Sequence, residues 1–339
     1  MRVVSKLLLS GAVLAMCAAV AHAGTSTHQR PIIDGAIAGS GDFYGTVGFV
    51  DFDGVSFCTG TLVAPTVIVS ASHCFVEQDE VTDQITYIIP PEEVFVVAGE
   101  VYAEQTPEDL QYPVRKIVLH PSYPGSGGLE GDTGIARQED IAVVLLTEAV
   151  TEVSAIPIPS VDQALETIDG IGQDEAAVTI TGYGLTDPNG TAAGVLNIAT
   201  TLLGEVGTYE FAVGAPGSPD SCKGDSGGPA YIQTGGVTAL YGASSRAVEN
   251  SNSVCGDGGL YTFVPAYRSW IAANSDGEYS EPSGPIGSGG GNNGGGNNGG
   301  GGNGVADDDG CAGGAPPAPW SGLALLMLMG LWVGRRRVA

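Results

Sequence analysis

From Gly45 to Leu146 the apolar positions come in short bursts, TVGFV, TLVAPTVIVSA, VFVVAG, RKIVL and IAVVLL, rich in Val and Ile and separated by Gly, Pro and Asp. Such bursts are strand-length, and the breaks between them are turn chemistry. The same texture resumes from AVTITGYG to LYTFV. Apolar spacing of helical period is confined to AYRSWIAAN, residues 266–274. The pattern predicts an all-β barrel or sandwich closed by a short terminal helix.

The pattern fails at both ends of the chain. Arg2 and Lys6 precede an apolar run from Leu7 to Val20, and Ala21-His22-Ala23 offers small residues for cleavage, so residues 1–23 read as a secretory signal peptide. After Ser275 the composition turns to Gly, Asn and Ser, and residues 276–310 are expected to form a flexible linker. Residues 311–339 form a tail in which Trp320–Gly334 is apolar and Arg335, Arg336 and Arg337 follow at once. Fifteen helical residues reach only about 22 Å, short of a ~30 Å hydrocarbon core, although the arginines suit a cytoplasmic flank.

Charge narrows the possible partners. The 339-residue chain has a formal net charge of −26, and residues 32–275 hold six basic against 32 acidic residues. Such a field argues against nucleic acid and favours cationic partners. An exported chain can also oxidise its cysteines, and Cys58, Cys74, Cys222 and Cys255 lie within the strand-rich region. Cys74 could close a loop back to Cys58.

The candidate chemistry centres on DSCKGDSGGP, residues 220–229, where Ser226 is a potential nucleophile. A serine hydroxyl needs a base, and the base needs an orienting group. No histidine follows Ser226, which rules out the chain order of the α/β-hydrolases and leaves His, Asp, Ser. His73 ends a β-branched run beside Cys74, whereas His120 lies among Pro and Gly and reads as a surface turn residue. Asp140 opens DIAVVLL, an acid at the edge of a buried strand that must be hydrogen-bonded there. Asp132 and Glu139 read as solvated loop acids.

IIDG at 32–35, SASHC at 70–74, DIAVVLL, TGYG at 181–184 and DSCKGDSGGP together resemble the ordered motifs of the trypsin/chymotrypsin family of serine proteases over residues 32–275. The resemblance implies two packed six-stranded antiparallel β-barrels with the site between them. It makes His73 the general base, Asp140 its orienter and Ser226 the nucleophile, with the Gly224 and Ser226 amides as the oxyanion hole. It places Asp220 at the base of a pocket that selects Arg or Lys, with Ser245 and Gly259 as further substrate-binding positions. Residues 24–31 become a propeptide whose removal by an activating peptidase frees Ile32 to pair with Asp225. Cys58 with Cys74 and Cys222 with Cys255 become the disulfides. No metal and no cofactor is called for.

Two departures from the family stand out. Arg246 occupies the usual tryptophan position after Ser245, and Ala247 follows where glycine is common. An arginine beside an acidic pocket could compete with a cationic substrate. The tail is similar to bacterial carboxy-terminal sorting signals, which implies a Gram-negative cell, a sorting peptidase, transient membrane association and a secreted or surface destination. The expectation is therefore an exported endopeptidase acting on proteins or peptides; the alternative is a catalytically idle protease-like binding or adhesion module.

Overall fold

A computed structural model describes residues 32–287 apart from 40, 43, 80–83, 124–133, 173–175, 186–192, 250 and 252–254. The expected signal peptide, propeptide, tail and most of the linker lie outside the described residues.

The chain enters through a short strand β1 (Ala36–Ile37). β2 (Thr46–Asp51), β3 (Ser56–Ala64) and β4 (Val67–Ser70) follow, and β5 (Val76–Gln78) and β6 (Ile85–Ile88) form a separate two-stranded sheet. With β7 (Val94–Ala98), β8 (Tyr112–Leu119) and β9 (Ala142–Leu146) they complete a closed barrel in the order β2-β3-β4-β9-β8-β7. Closure leaves no unpaired sheet edge, and the Val- and Ile-rich bursts of the sequence supply its lining.

Helix α1 (Val161–Ile171) links the halves. Its apolar residues Val161, Ala164, Leu165, Ile168 and Ile171 do recur at helical spacing, a pattern the sequence reading passed over, and Ala164 and Ile168 are the two it buries. Its ends are also well marked: the Ser160 side chain accepts a bond from the Gln163 amide, and Gly172 terminates the helix at φ 88°.

The second half contains β10 (Ala177–Gly182), β11 (Asn197–Val206), β12 (Glu210–Val213), β13 (Pro229–Thr234), β14 (Val237–Ala247) and β15 (Gly259–Phe263). They pair in the order β11-β10-β13-β14-β15-β12, the β11–β12 pairing closes a second six-stranded barrel, and β1 adds to β11. α2 (Arg268–Asn274) follows, as the 266–274 stretch predicted. The two barrels share an apolar interface in which Val69, Val143 and Leu145 meet Tyr231, Leu240 and Ile271. Each such side chain removed from water contributes about 1.5–3 kcal/mol. Thr46 Oγ1 also reaches both Thr181 Oγ1 (2.5 Å) and the Tyr231 hydroxyl (3.0 Å) across this buried seam.

The domain does not stop at Ser275. Residues 276–287, assigned to the flexible linker from their composition, lie against both barrels as a strap. Arg115 pairs with Asp276 (2.9 Å) and Glu278 (2.7 Å), and Lys116 pairs with Asp276 (2.8 Å). Tyr279 is 5% exposed, and Gln163 exchanges two bonds with the Ile286 backbone. Composition hid this, because the strap has few apolar residues and is held largely by side chains distant in sequence.

Candidate active site

Register brings the site together. Ser70, the last residue of β4, pairs with Ala142, the first of β9, so the residues just after β4 and just before β9 share one end of the barrel. His73 lies in a single 3-10 turn, Ser72–Phe75, and Asp140 stands two residues before the start of β9. His73 Nδ1 lies 2.7 Å from Asp140 Oδ2, and the His73 amide donates to Oδ1 at 3.0 Å. Asp140 is 3% exposed, yet its carboxylate is well supplied, since Ser245 Oγ donates to Oδ2 at 2.6 Å. Its carbonyl accepts from Thr262 Oγ1 at 2.8 Å. Burial acts to raise the Asp140 pKa, but the His73 charge and these hydrogen bonds outweigh it and hold the group below the usual carboxylate value. Burial likewise acts to lower the His73 pKa, and the Asp140 charge and hydrogen bond outweigh it, leaving His73 above the usual histidine value.

Ser226 comes from the other barrel, in the turn leading to β13. Its carbonyl accepts from the Thr59 amide (2.9 Å) and lies 3.5 Å from Cys74 Sγ, next door to His73. Gly227 permits this approach. At φ 74° a Cβ there would fall 2.0 Å from Ser70 Oγ and 2.6 Å from the Thr59 carbonyl oxygen. The Gly224 and Ser226 amides donate to no acceptor among the described residues. Disulfides Cys58–Cys74 and Cys222–Cys255 brace both loops.

Asp220, Ser221, Ser226, Ser245, Arg246 and Gly259 are among the residues lining a cavity of about 150 Å³ beside Ser226. Asp220 is buried in its wall, and its carboxylate accepts from the amides of Ser221 (2.8 Å), Gly256 (2.7 Å) and Gly258 (3.1 Å). Burial raises its pKa, with the three amides opposing. Asp225 is 1% exposed and accepts from the Cys222 and Gly184 amides, both at 2.8 Å. Burial pushes it up to about 7. Ile32 is fully buried, and Ile33 exchanges backbone bonds with Asp220 (2.9 and 3.2 Å).

A family model described as Trypsin matches residues 32–271. The chain belongs to the trypsin family. It is a serine endopeptidase. Trypsin of Saccharopolyspora erythraea is 30% identical over 250 residues, covering 70% of this chain and 94% of that one. Chymotrypsin-like elastase family member 1 is 29% identical in Bos taurus, over 63% of this chain and 77% of that one. In Macaca fascicularis it is 26% identical, over 73% and 92%.

Three details of this protease depart from the sequence reading. Arg246 does not point its charge at Asp220: its guanidinium grips Glu210 on β12 (2.6 and 2.8 Å) and the Gly134 carbonyl (3.0 Å). Glu210 is 1% exposed, and an unpaired carboxylate there would be costly, so the arginine is held away from the cavity floor. His120 does open a turn, its carbonyl accepting from the Tyr123 amide, but its ring is not at the surface: it packs against the rings of Tyr267 and Trp270, with Nε2 3.5 Å from Glu139 Oε2. Glu139 is itself buried, pairs with Arg137, and adopts φ 56°. Apart from the Arg137–Glu139 pair, these contacts join residues far apart in sequence, and no local pattern announces them. Asp132 lies outside the described residues.

Proposed function

We propose that this trypsin-family protease is exported and cleaves peptide bonds after Arg or Lys through an acyl-enzyme formed on Ser226. The observation that carries the reading is the commitment of His73 Nδ1 to a buried Asp140, which leaves Nε2 as the nitrogen free to serve Ser226 on the facing loop. Ser226 Oγ attacks the scissile carbonyl while His73 Nε2 takes its proton. Asp140 stabilises the imidazolium that forms, and the unengaged Gly224 and Ser226 amides receive the developing oxyanion. The C–N bond then breaks as His73 returns the proton to the departing amine. Water repeats the sequence on the ester and releases the new carboxyl end.

Asp220 sets the preference. Its buried carboxylate has backbone donors but no cation among the described residues, and an Arg or Lys side chain entering the cavity would supply one. Gly259, paired with Ala247, leaves the wall low at that point. Asp225 is a second buried carboxylate with no cation beside it among the described residues, and the freed ammonium of Ile32 would neutralise it. Ile32 sits at φ 47°, a costly conformation for a β-branched residue, and cutting the Pro31–Ile32 bond abolishes that torsion. An Arg-Pro bond is a poor tryptic site, so a separate peptidase that accepts proline removes residues 24–31. The disulfides suit an oxidising compartment, and the leader and tail fit export followed by tail removal by a sorting peptidase.

The test pairs organophosphorus labelling with a peptide library on the processed protein. Labelling of Ser226 and cuts after Arg or Lys are expected. An unlabelled Ser226 would mean an idle protease-like module, and cuts confined to small residues would remove the Asp220 assignment.

A further inference from the structure

Six basic residues lie in 32–275, and five of them are in ion pairs: Arg115 and Lys116 with the strap, Arg268 with Glu281, Arg137 with Glu139 and Arg246 with Glu210. Lys223 makes no ion pair among the described residues. It lines the same cavity as Asp220 and Ser226, between disulfide-bonded Cys222 and Gly224. Its carbonyl accepts from the Leu185 amide at 2.7 Å, so an exposed, flexible side chain projects from a fixed base.

Arg246 cannot take its place. This other cation of the cavity answers the buried Glu210 carboxylate, and turning it toward substrate would strand that charge in the interior. The cavity therefore has a carboxylate buried in its wall and, among its lining residues, an exposed lysine that does not pair with it. A ligand complementary to both carries a cation and a carboxylate a short distance apart.

We propose that Lys223 is a specificity-determining residue that selects peptides with an acidic residue flanking the basic residue at the cleaved bond. The inference rests on the proposed placing of Ser226 as nucleophile and of Asp220 in the pocket. In a region with 32 acidic residues, Lys223 is a local point of attraction for a peptide that the overall field repels.

The experiment compares synthetic peptides identical except for Glu or Gln at each of the two positions on either side of the cleaved bond. They are built around whichever residue the library shows is cleaved, and assayed at low and high salt. At one or more positions the Glu peptide should have a kcat/KM about two- to fivefold higher at low salt, the range of an exposed ion pair, and the advantage should shrink as salt screens it. Lys223→Met should bring the Glu/Gln ratio to about one, and Lys223→Glu should invert it. Anisotropy of the same labelled peptides on Ser226→Ala gives the comparison without turnover. A ratio of one at every position in the unaltered protein, or an unchanged ratio in Lys223→Met, overturns the assignment while leaving cleavage after Arg or Lys standing. A Glu advantage around some other cleaved residue supports Lys223 and overturns Asp220 instead.

Discussion

Ser245 and His73 share one oxygen: Asp140 Oδ2 accepts from the Ser245 hydroxyl at 2.6 Å and faces His73 Nδ1 at 2.7 Å. Ser245, expected only as a wall of the substrate pocket, also fixes the carboxylate that aims the imidazole. Ser245→Ala should lower kcat/KM by about three- to tenfold, since water can replace part of the lost bond. Steady-state kinetics on a peptide substrate checks this. An unchanged kcat/KM would show that the bond contributes nothing to positioning.

If the proposed triad acts as one unit, His73→Ala, Asp140→Ala and Ser226→Ala should each reduce turnover by about 10⁴-fold or more, and combining them should add little. Thermal melts should show that Ser226→Ala leaves folding intact. His120→Ala should behave in the opposite way. It opens a gap against Tyr267 and Trp270 and should lower the melting temperature with a much smaller effect on turnover. Equal losses of turnover at His120 and His73 would remove the assignment of the base.

The acid limb of activity should lie above the ordinary histidine value of 6.5, because Asp140 raises the His73 pKa. A base must be unprotonated, so kcat/KM falls as pH drops through that raised value. For stability the sign is opposite: the protonated pair is favoured at low pH, and its contribution fades as pH rises through the folded pKa. A pH profile of kcat/KM with its acid midpoint below 6.5 would contradict the arrangement.

Asp225 gives the uncut and cut chains different pH responses. Its folded pKa of about 7 stands above its usual 3.8, so the uncut fold binds a proton that the unfolded chain releases, and its stability declines as pH rises through that window. An Ile32 ammonium beside Asp225 should remove the decline. Urea titrations of both forms from pH 4 to about 8 read the difference. Parallel curves would mean that Ile32 and Asp225 do not meet.

Removing the strap should be felt throughout the domain. A chain ending at Ser275 loses the burial of Tyr279 and the bonds to Arg115, Lys116 and Gln163, and should be less stable by about 2–4 kcal/mol. A chain ending at Gly287 should match the full protein. Arg115→Ala should cost under about 1 kcal/mol, since its partners are partly exposed. Equal melting temperatures for the two truncations would show that the strap merely rests on the surface.

The sequence displayed the barrels because every burst of Val and Ile became a strand, and it displayed the candidate site because His73, Asp140 and Ser226 stand at strand ends within short motifs. What it concealed was pairing at a distance. Glu210 and Arg246 are 36 positions apart, and only adjacent strands β12, β15 and β14 bring them into reach. Glu139 looked solvated because a loop acid usually is, and only the rings packed around His120 bury it. The strap was obscured for a related reason: Asp276 and Glu278 find their cations on β8, some 160 residues earlier in the chain.

The two bonds between Ile33 and Asp220 make the amino-terminal segment and the pocket wall rungs of one ladder. Coupling between two sites is reciprocal: whatever fixes one end must be felt equally at the other. A small cation seated against the Asp220 carboxylate would slow hydrogen–deuterium exchange at the Ile33 amide, which bonds the backbone carbonyl of that same residue. The exchange rate of that single amide would report whether the pocket is occupied.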